Sequence, residues 1–415
     1  MTSSPPRPEI FHGWVVVGAA AAVLFVGFGV AYSFAAFFHS LRDEFDATRG
    51  DVALVFAITG FLYFVLGAAS GPVADRVGPR RIVLVGVLLV ASGLFLASAA
   101  QELWQIYVTY SLFVGLGVGF CYVPAVGAVQ RWFTRRRGFA SGIAVSGIGA
   151  GTLIMPLLAA ALIDAWGWRG AYAGLGVVTL IVGIPGALTL EHSPQARGLL
   201  PDGAPHPPSG APTAAAAPRS SVREALHSRP FWLLYAACLA TSLGLFIPFA
   251  HLAPYARDHG FSDGFGVLLV GCIGIGSTVG RLVLGGSADR IGRRVALGAA
   301  FALMGASLFA WLGATEAWSL VTFALVFGTA YGGFVALLPA LATDYFGARN
   351  AGGIIGLLYT GAGFGALIGP TLAGAIYDAR DSYTLPILMG VAMNVVAVAC
   401  MILIPAPTRW RGASV

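Results

Sequence analysis

Long apolar blocks, separated by short polar segments, dominate the pattern of hydrophobic and polar positions along the chain. Each block is close to the ~20 residues that an α-helix needs to cross the hydrocarbon core of a bilayer. We therefore predict an all-α membrane protein with twelve transmembrane helices. They are expected at residues 12–37, 51–71, 80–100, 104–130, 138–163, 171–190, 231–256, 265–286, 294–313, 319–343, 350–376 and 384–404.

Residues 191–230 interrupt this pattern with a segment rich in proline, alanine and polar residues. Such a composition does not bury a core and is typical of a flexible linker. The sequence therefore predicts three parts. These are an amino-terminal six-helix bundle over residues 1–190, a cytoplasmic linker over 191–230 and a carboxy-terminal six-helix bundle over 231–415.

Composition agrees with the membrane class. Hydrophobic residues make up 57% of the 415 residues and charged residues only 10%, whereas a soluble protein carries about 25% charged residues. The four cysteines lie within apolar blocks and show no spacing typical of a metal site or a disulfide, so we interpret them as packing residues and predict no cofactor. The first apolar block is too long for the core of a signal peptide and is interpreted as a membrane span.

The positions of the arginines predict the orientation in the membrane. All 24 basic residues are arginine, and the net charge is +6. With the amino terminus in the cytoplasm, 18 arginines lie on the cytoplasmic side, five lie on the opposite side and Arg281 lies within a span. This bias predicts a multi-pass inner (plasma) membrane protein with both termini cytoplasmic. Because the arginines occupy short loops, their expected contact is membrane lipid rather than nucleic acid.

The two halves of the chain are repeats. Residues 71–80 read GPVADRVGPR, and residues 285–294 read GGSADRIGRR, at an offset of 214 residues. The same offset relates Pro156 to Pro370 and Asp164 to Asp378. Parallel six-helix repeats with a binding site at their interface are the plan of one large class of transporters.

The repeated Gly-x-x-x-Asp-Arg-x-Gly-x-Arg pattern resembles the signature loop of the major facilitator superfamily. Residues 132–147, WFTRRRGFASGIAVSG, resemble the signature of monocarboxylate porters, and His12-Gly13-Trp14 partly meets their second signature. The resemblance implies two pseudo-symmetric six-helix bundles around a central cavity, working by alternating access. It leaves two branches open, the lactate/pyruvate-type porters and the bacterial oxalate/formate-type exchangers.

The loop motifs supply candidate gating residues. They are Asp75, Arg76, Arg80, Asp289 and Arg290. Asp75 is expected near the cytoplasmic start of the eleventh span, where a carboxylate can meet a helix amino terminus and a nearby arginine such as Arg131. We predict that this contact closes the cytoplasmic end. The alternative is that Asp75 sets only topology and loop folding.

Arg281 is the one charged residue that cannot be placed at or beyond the end of a span. A cation in a span costs a few kcal/mol, so it usually faces a cavity and has a function. The offset of 214 relates Arg281 to Gly67, so the charge belongs to one half only. A structural ion pair is the alternative, but no acidic residue falls within a span. Because a guanidinium matches a carboxylate in a bidentate pair, we predict that Arg281 binds a substrate carboxylate.

A single interior cation favours a substrate with one negative charge. In the resembled family, porters of dicarboxylates use a second cation on the eleventh helix, and residues 354–364 contain none. The predicted function is therefore proton-coupled transport of a small monocarboxylate of lactate or pyruvate type. The alternatives are an anion exchanger of oxalate/formate type and a transporter of a larger organic or aromatic acid.

Three tyrosines are candidates for the wall of the substrate site. Tyr122, Tyr331 and Tyr359 carry hydroxyls that can donate to a carboxylate, and packing between helices is the alternative for each. Ser277 lies one turn before Arg281 on the same face. The resemblance implies that animal relatives carry a proton-binding acid at this place, so Ser277 leaves the proton route open.

His251 is the candidate proton carrier of the seventh span and, like Ser277, a candidate substrate-binding residue. It lies three residues after Pro248, which is expected to interrupt the helix. A histidine titrates near neutral pH, although lining the outer cavity and an interfacial hydrogen bond are alternatives. A second route needs no protein acid, because the substrate carboxylate can neutralise Arg281 while a proton crosses with it.

Other classes of protein fit the sequence less well. An enzyme needs paired carboxylates, a histidine and cysteine cluster or a metal site, and none is visible in the sequence. A channel needs a polar path or a selectivity filter. A signalling receptor descended from a transporter stays an alternative. The protein is expected to function as a monomer.

Overall fold

The computed structural model describes residues 11–133, 136–203, 222–347 and 351–405, and a few side chains inside these ranges, among them those of Asp75 and Asp289, are not described. The described chain is almost entirely helical, as predicted. Its α-helices are α1 His12–Tyr32, α2 Phe34–Glu44, α3 Arg49–Val77, α4 Pro79–Ser98, α5 Leu103–Ile106, α6 Phe113–Trp132, α7 Arg137–Thr189, α8 Val222–Leu226, α9 Arg229–Leu245, α10 Ile247–Asp258, α11 Asp263–Ile291, α12 Arg293–Trp311, α13 Ala317–Phe346, α14 Ala351–Arg380 and α15 Thr384–Leu403. A π-helical turn, Tyr107–Leu112, joins α5 to α6.

Eleven helical segments of the described chain are long and apolar enough to cross a membrane. One of them, in α7, contains two spans, because Gly167 has φ +69° and ψ 171° and interrupts the helix. Such a positive φ is accessible to glycine at little cost. Dividing α7 at Gly167 separates the fifth and sixth predicted spans, so the described helices account for all twelve.

The helices follow the 214-residue repeat. Helices α3 and α11 begin and end at equivalent positions, and each ends at a glycine with positive φ, Gly78 at +93° and Gly292 at +88°. The first span of each half is also broken at equivalent places. The break between α1 and α2 lies at Ser33, and that between α9 and α10 lies at Phe246, before Pro248.

The division into bundles 1–190 and 231–415 with a linker over 191–230 stays a prediction, because residues 204–221 of that linker lie outside the described residues. Two short 3₁₀ turns, Pro194–Arg197 and Pro201–Gly203, precede this gap. Helix α8 and the start of α9 follow it, so helical structure begins before the predicted end of the linker.

Two helix pairs form most of the contact between the halves, α3 with α14 and α7 with α11. The end of the bundle at which α1 begins and α15 ends is called the terminal end. The opposite end, where α2 ends at Glu44 and α3 begins at Arg49, is called the distal end. The four cysteines are buried and unpaired, as expected for packing residues.

Candidate functional site

Arg281 lies in the middle of α11, where that helix packs closely against α13. A side chain at the preceding residue, Gly280, would collide with the backbone carbonyl of Thr329, so the backbones of the two helices touch there. The Arg281 Nη1 donates to the Val145 carbonyl of α7 at 3.2 Å. Its Nε and Nη2 are buried and have no hydrogen-bond partner among the described residues.

An arginine with two unpaired buried nitrogens is an unusual arrangement, because burying a charge without a partner is costly. Arg281 takes part in none of the ion pairs that the described part of the chain forms. Ser277, one turn earlier, is 2% exposed, and its hydroxyl also lacks a partner within the described ranges. The structure therefore presents a donor edge and a hydroxyl on one helix face, both available to a ligand.

Tyrosines from both halves lie around this face. The Tyr331 hydroxyl of α13 lies 2.8 Å from that of Tyr32 in α1, a hydrogen bond that crosses between the halves. The guanidinium of Arg281 acts electrostatically on the phenols of Tyr122 and Tyr331, so these groups are neighbours. The phenols of Tyr122 and Tyr359 also interact electrostatically, so these two residues are neighbours as well. The three predicted tyrosines and Arg281 thus belong to one cluster.

Further aromatic rings complete this cluster. Tyr32 is stacked on Phe249 with centroids 4.6 Å apart, and Tyr359 is stacked on Phe64 at 5.7 Å. Tyr63 packs edge-on against Phe28 at 5.5 Å. We call the whole set the aromatic cluster: Phe28, Tyr32, Phe56, Tyr63, Phe64, Tyr122, Phe246, Phe249, Tyr331 and Tyr359.

Tyr32 and Tyr63 are members of this cluster that the sequence analysis missed. Tyr63 is 4% exposed, and its hydroxyl has no partner among the described residues, as is also the case for Tyr359. The repeat contained a signal for Tyr63, because the 214-residue offset relates it to Ser277. Tyr32 lies beside the break at Ser33, which apolar periodicity alone does not reveal.

The distal end holds a second polar cluster, which joins the halves directly. Arg49 at the start of α3 binds Asp258 at the end of α10 through two hydrogen bonds, at 2.8 and 2.6 Å. The Arg49 side chain is 9% exposed, and its guanidinium lies 3.9 Å from the centroid of the Tyr377 ring. We call Arg49, Asp258 and Asp378 the distal clamp.

Asp378 of α14 contributes to this clamp as an acceptor for the amino terminus of α3. Its carboxylate accepts the backbone N–H of Arg49 at 3.1 Å and that of Gly50 at 2.9 Å. The first N–H groups of a helix lack intrahelical partners, and an anion there is favoured by the helix dipole. The distal end is therefore closed in this structure by contacts between the halves.

His251 lies beside the distal clamp and is fully buried. Its Nδ1 lies 3.1 Å from the Tyr383 hydroxyl and its Nε2 lies 2.8 Å from the Pro370 carbonyl. Burial raises the pKa of the Tyr383 phenol well above its usual value, so the hydroxyl is neutral. Both ring nitrogens are therefore bonded within the protein in this distal-closed structure, and a contact of His251 with substrate stays a prediction.

The predicted gating residues lie at the terminal end. Arg76 and Arg290, in the last turns of α3 and α11, are exposed, and so is Arg80 in the first turn of α4. Arg131 donates from Nε to the His192 carbonyl at 2.9 Å. The side chains of Asp75 and Asp289 lie outside the described residues, so the contact predicted for Asp75 stays a prediction.

The arrangement can bind an anion between the halves. No group of three or more histidine, cysteine or acidic residues suited to a metal ion occurs in the described part of the chain. Arg281 supplies two unpaired donors, while the phenols supply neutral donors beside it.

Comparison of the sequence with known proteins also indicates a membrane transporter. The profile of the Major Facilitator Superfamily matches residues 19–286 and 268–415. Monocarboxylate transporter 11 of Homo sapiens is 30% identical over 402 residues, which cover 94% of this chain and 82% of the relative. Monocarboxylate transporter 3 of Rattus norvegicus is 30% identical over 410 residues, covering 95% and 81%. The MFS-type transporter pytF of Aspergillus terreus is 28% identical over 285 residues, covering 68% and 91%.

Proposed function

Because the chain belongs to the major facilitator superfamily and to its monocarboxylate porter-like group, and is therefore a membrane transporter rather than an enzyme, we propose that it moves a small monocarboxylate across the membrane together with a proton. Relatives named monocarboxylate transporters are similar to almost the whole chain. Their names support a carboxylate as the substrate. The particular carboxylate is proposed from the site, as a small acid of lactate or pyruvate type.

One observation carries the proposal, the unpaired edge of Arg281. Its Nε and Nη2 are buried without a partner among the described residues, and they form the planar edge that a carboxylate binds through both oxygens. Such a charge-assisted pair is worth about 1.5–3 kcal/mol for each hydrogen bond. A carboxylate would also neutralise the charge that α11 carries between the two halves.

The surroundings of Arg281 support a small substrate that carries one negative charge. Among the described residues, Arg281 is the only cation found beside the phenols of the aromatic cluster, so the second carboxylate of a dicarboxylate would be buried unpaired. The same reasoning applies to the ammonium group of an amino acid, which would need an acidic partner. Tyr63 and Tyr359 offer free hydroxyls to a substrate oxygen beyond the carboxylate.

The proposed mechanism is alternating access across the plasma membrane. The arginine distribution supports a cytoplasmic terminal end and an external distal end. Opening the distal clamp would admit substrate from outside, and closing it would commit the substrate to the cytoplasmic side. Proton coupling has two candidate routes, titration of His251 and neutralisation of Arg281 by the substrate itself.

The test is uptake into proteoliposomes that carry the transporter. Lactate, pyruvate, formate, oxalate or benzoate is added outside, with and without an inward proton gradient. We expect Arg281→Gln to raise the KM for monocarboxylates by at least about 10- to 100-fold, because the charge is lost and the glutamine amide can replace no more than one of the two hydrogen bonds. Arg281→Lys keeps the charge without the planar edge, so its KM should lie between those of the wild type and Arg281→Gln. Arg42→Gln is the matched control, since that arginine pairs with its neighbour Asp43 at the distal surface, away from the aromatic cluster.

Equal uptake by the wild type and Arg281→Gln would refute the binding site. Uptake that needs internal substrate and ignores the proton gradient would instead favour the exchanger alternative of oxalate/formate type. Uptake of oxalate in preference to lactate would refute the argument from the single cation.

A further inference from the structure

A directed chain of hydrogen bonds, which we call the relay, links His251 to the distal clamp. The Pro370 carbonyl can only accept, so His251 Nε2 carries the hydrogen of the 2.8 Å bond. In the neutral ring Nδ1 then carries a lone pair and accepts from the Tyr383 hydroxyl. The oxygen of Tyr383 in turn accepts from Arg49 Nη1 at 2.8 Å. Every donor and acceptor of the relay is matched for one tautomer only.

The relay joins four separate parts of the fold. Its members come from α3, α10, α14 and the turn before α15. Separation of α3 from the turn before α15 would break the bond between Arg49 and Tyr383. The relay is therefore complete only while the distal end is closed.

Charged and titratable groups face His251 from each neighbouring element. Arg49 of α3 and Asp378 of α14 act on it electrostatically, and Asp258 lies at the end of its own helix. Helix α2 places the Phe38 ring 5.7 Å away and carries His39 next in the chain. Other ionisable side chains at this end include Arg42, Asp43, Glu44, Arg169, Arg257, His259, Asp263, Tyr255 and Tyr377.

We propose that Nδ1 of His251 is a proton-binding site that controls the distal end. The end closes when His251 is neutral and opens when His251 is protonated. This inference rests on the proposed alternating-access function, and it adds the atom by which external acid controls the conformation.

Protonation is incompatible with the closed relay for two reasons. A protonated Nδ1 is a donor, so the Tyr383 hydroxyl could no longer donate to it. The hydroxyl hydrogen of Tyr383 would then be left without an acceptor. Nδ1 and Arg49 Nη1 also bind the same oxygen, at 3.1 and 2.8 Å, so two cations would lie within about 6 Å of each other in a buried place.

Opening the distal end removes both obstacles, because the ring then meets external water. A solvated imidazole titrates near pH 6.5. The proton moves from water to the Nδ1 lone pair in the open state and leaves it, for water or for a bound carboxylate, before the relay reforms. If only the open state binds it, linkage makes the open-to-closed ratio rise about tenfold when the pH falls from 8 to 5.5.

The experiment measures the distance between spin labels at the distal surface, without substrate, in nanodiscs from pH 8 to 5.5. Gln101→Cys and Thr315→Cys place one label on each half, at exposed positions. We expect the open fraction of otherwise wild-type protein to rise with acid as calculated. His251→Gln should abolish the rise, because the amide mimics the neutral tautomer with one donor and one acceptor but does not titrate.

His39→Gln is the matched control, since His39 is the other buried histidine of the distal end and lies 3.9 Å from Asp263. It should keep the full pH effect. A tenfold effect that persists in His251→Gln, disappears in His39→Gln or is absent from the wild type would overturn the proposal.

A second variant keeps the test valid if His251→Gln folds poorly. Tyr383→Phe retains His251 but removes the hydroxyl that makes Nδ1 an acceptor, so its open fraction at pH 8 should rise and its pH effect should shrink. An unchanged pH effect in this variant would contradict the relay. Since no carboxylate is present in these measurements, their failure is distinguishable from a failure of substrate transport.

Discussion

Asp258→Asn tests whether the distal clamp sets the conformation of the transporter. In the closed structure the Asp258 carboxylate receives two hydrogen bonds from Arg49, whose side chain is 9% exposed. The substitution removes the negative charge and one of the two acceptors while changing the side-chain volume little. Arg49 then remains buried in the closed state but regains water when the distal end opens.

The magnitude follows from the surroundings of the pair. Removing one partner of a buried ion pair costs about 3–5 kcal/mol. Here the Asp258 side chain is 29% exposed, and Arg49 keeps both the Tyr383 hydroxyl and the Tyr377 ring. We therefore expect a loss of about 2 kcal/mol from the closed state, which is about a thirtyfold rise in the open-to-closed ratio.

The assay is the same distance measurement between labels at positions 101 and 315, at a fixed pH of 8, after the native cysteines have been replaced by alanine. Asp43→Asn is the matched control. Its ion pair with Arg42 has the same 2.8 Å length as one bond of the clamp, but it lies within one helix and does not join the halves. If the ratio for Asp258→Asn rises no more than that for Asp43→Asn, the clamp does not hold the distal end closed.

Two further predictions concern packing and the substrate site. Gly280→Ala should destabilise the protein by about 1–3 kcal/mol, because the new methyl group meets the Thr329 carbonyl; thermal unfolding in detergent measures this, and Gly286→Ala, with open space on the same helix, should change little. Tyr63→Phe should raise the KM for the transported acid about fivefold by removing a neutral hydrogen bond, and it should leave stability unchanged or increase it, because the deleted hydroxyl has no partner among the described residues. An unchanged KM for Tyr63→Phe would remove this hydroxyl from the substrate site.

The clamp suggests how one pair of helices can hold the bundle at either end. Asp378 of α14 binds the amino terminus of α3 at the distal end. The sequence predicts that Asp75 of α3 makes the corresponding contact with the start of α14 at the terminal end. Because a helix amino terminus attracts an anion wherever it lies, each carboxylate would favour closure of its own end. The two contacts would therefore act in opposition.

Much of this protein was determined by local sequence. A membrane span is set by the length and polarity of one segment, so the twelve helices could be predicted from the apolar blocks. The break of the seventh span followed from Pro248, because proline removes a backbone donor. Arg281 was identified as a candidate site because a charge within a span is costly wherever the neighbouring helices lie.

Tertiary structure alone decided which side chains meet. Arg49 and Asp258 are 209 residues apart and are separately unremarkable surface charges in the sequence, yet they form the buried pair of the distal clamp. His251 was predicted as a proton carrier from its place in the chain, but only the packing of α10 against α14 and against the turn before α15 showed the partners of its two ring nitrogens. Tyr32 and Tyr331, on different halves, became one hydrogen-bonded pair. The sequence specifies the polarity of each position along the chain. Hydrogen bonds between helices depend on distances that only the assembled bundle defines.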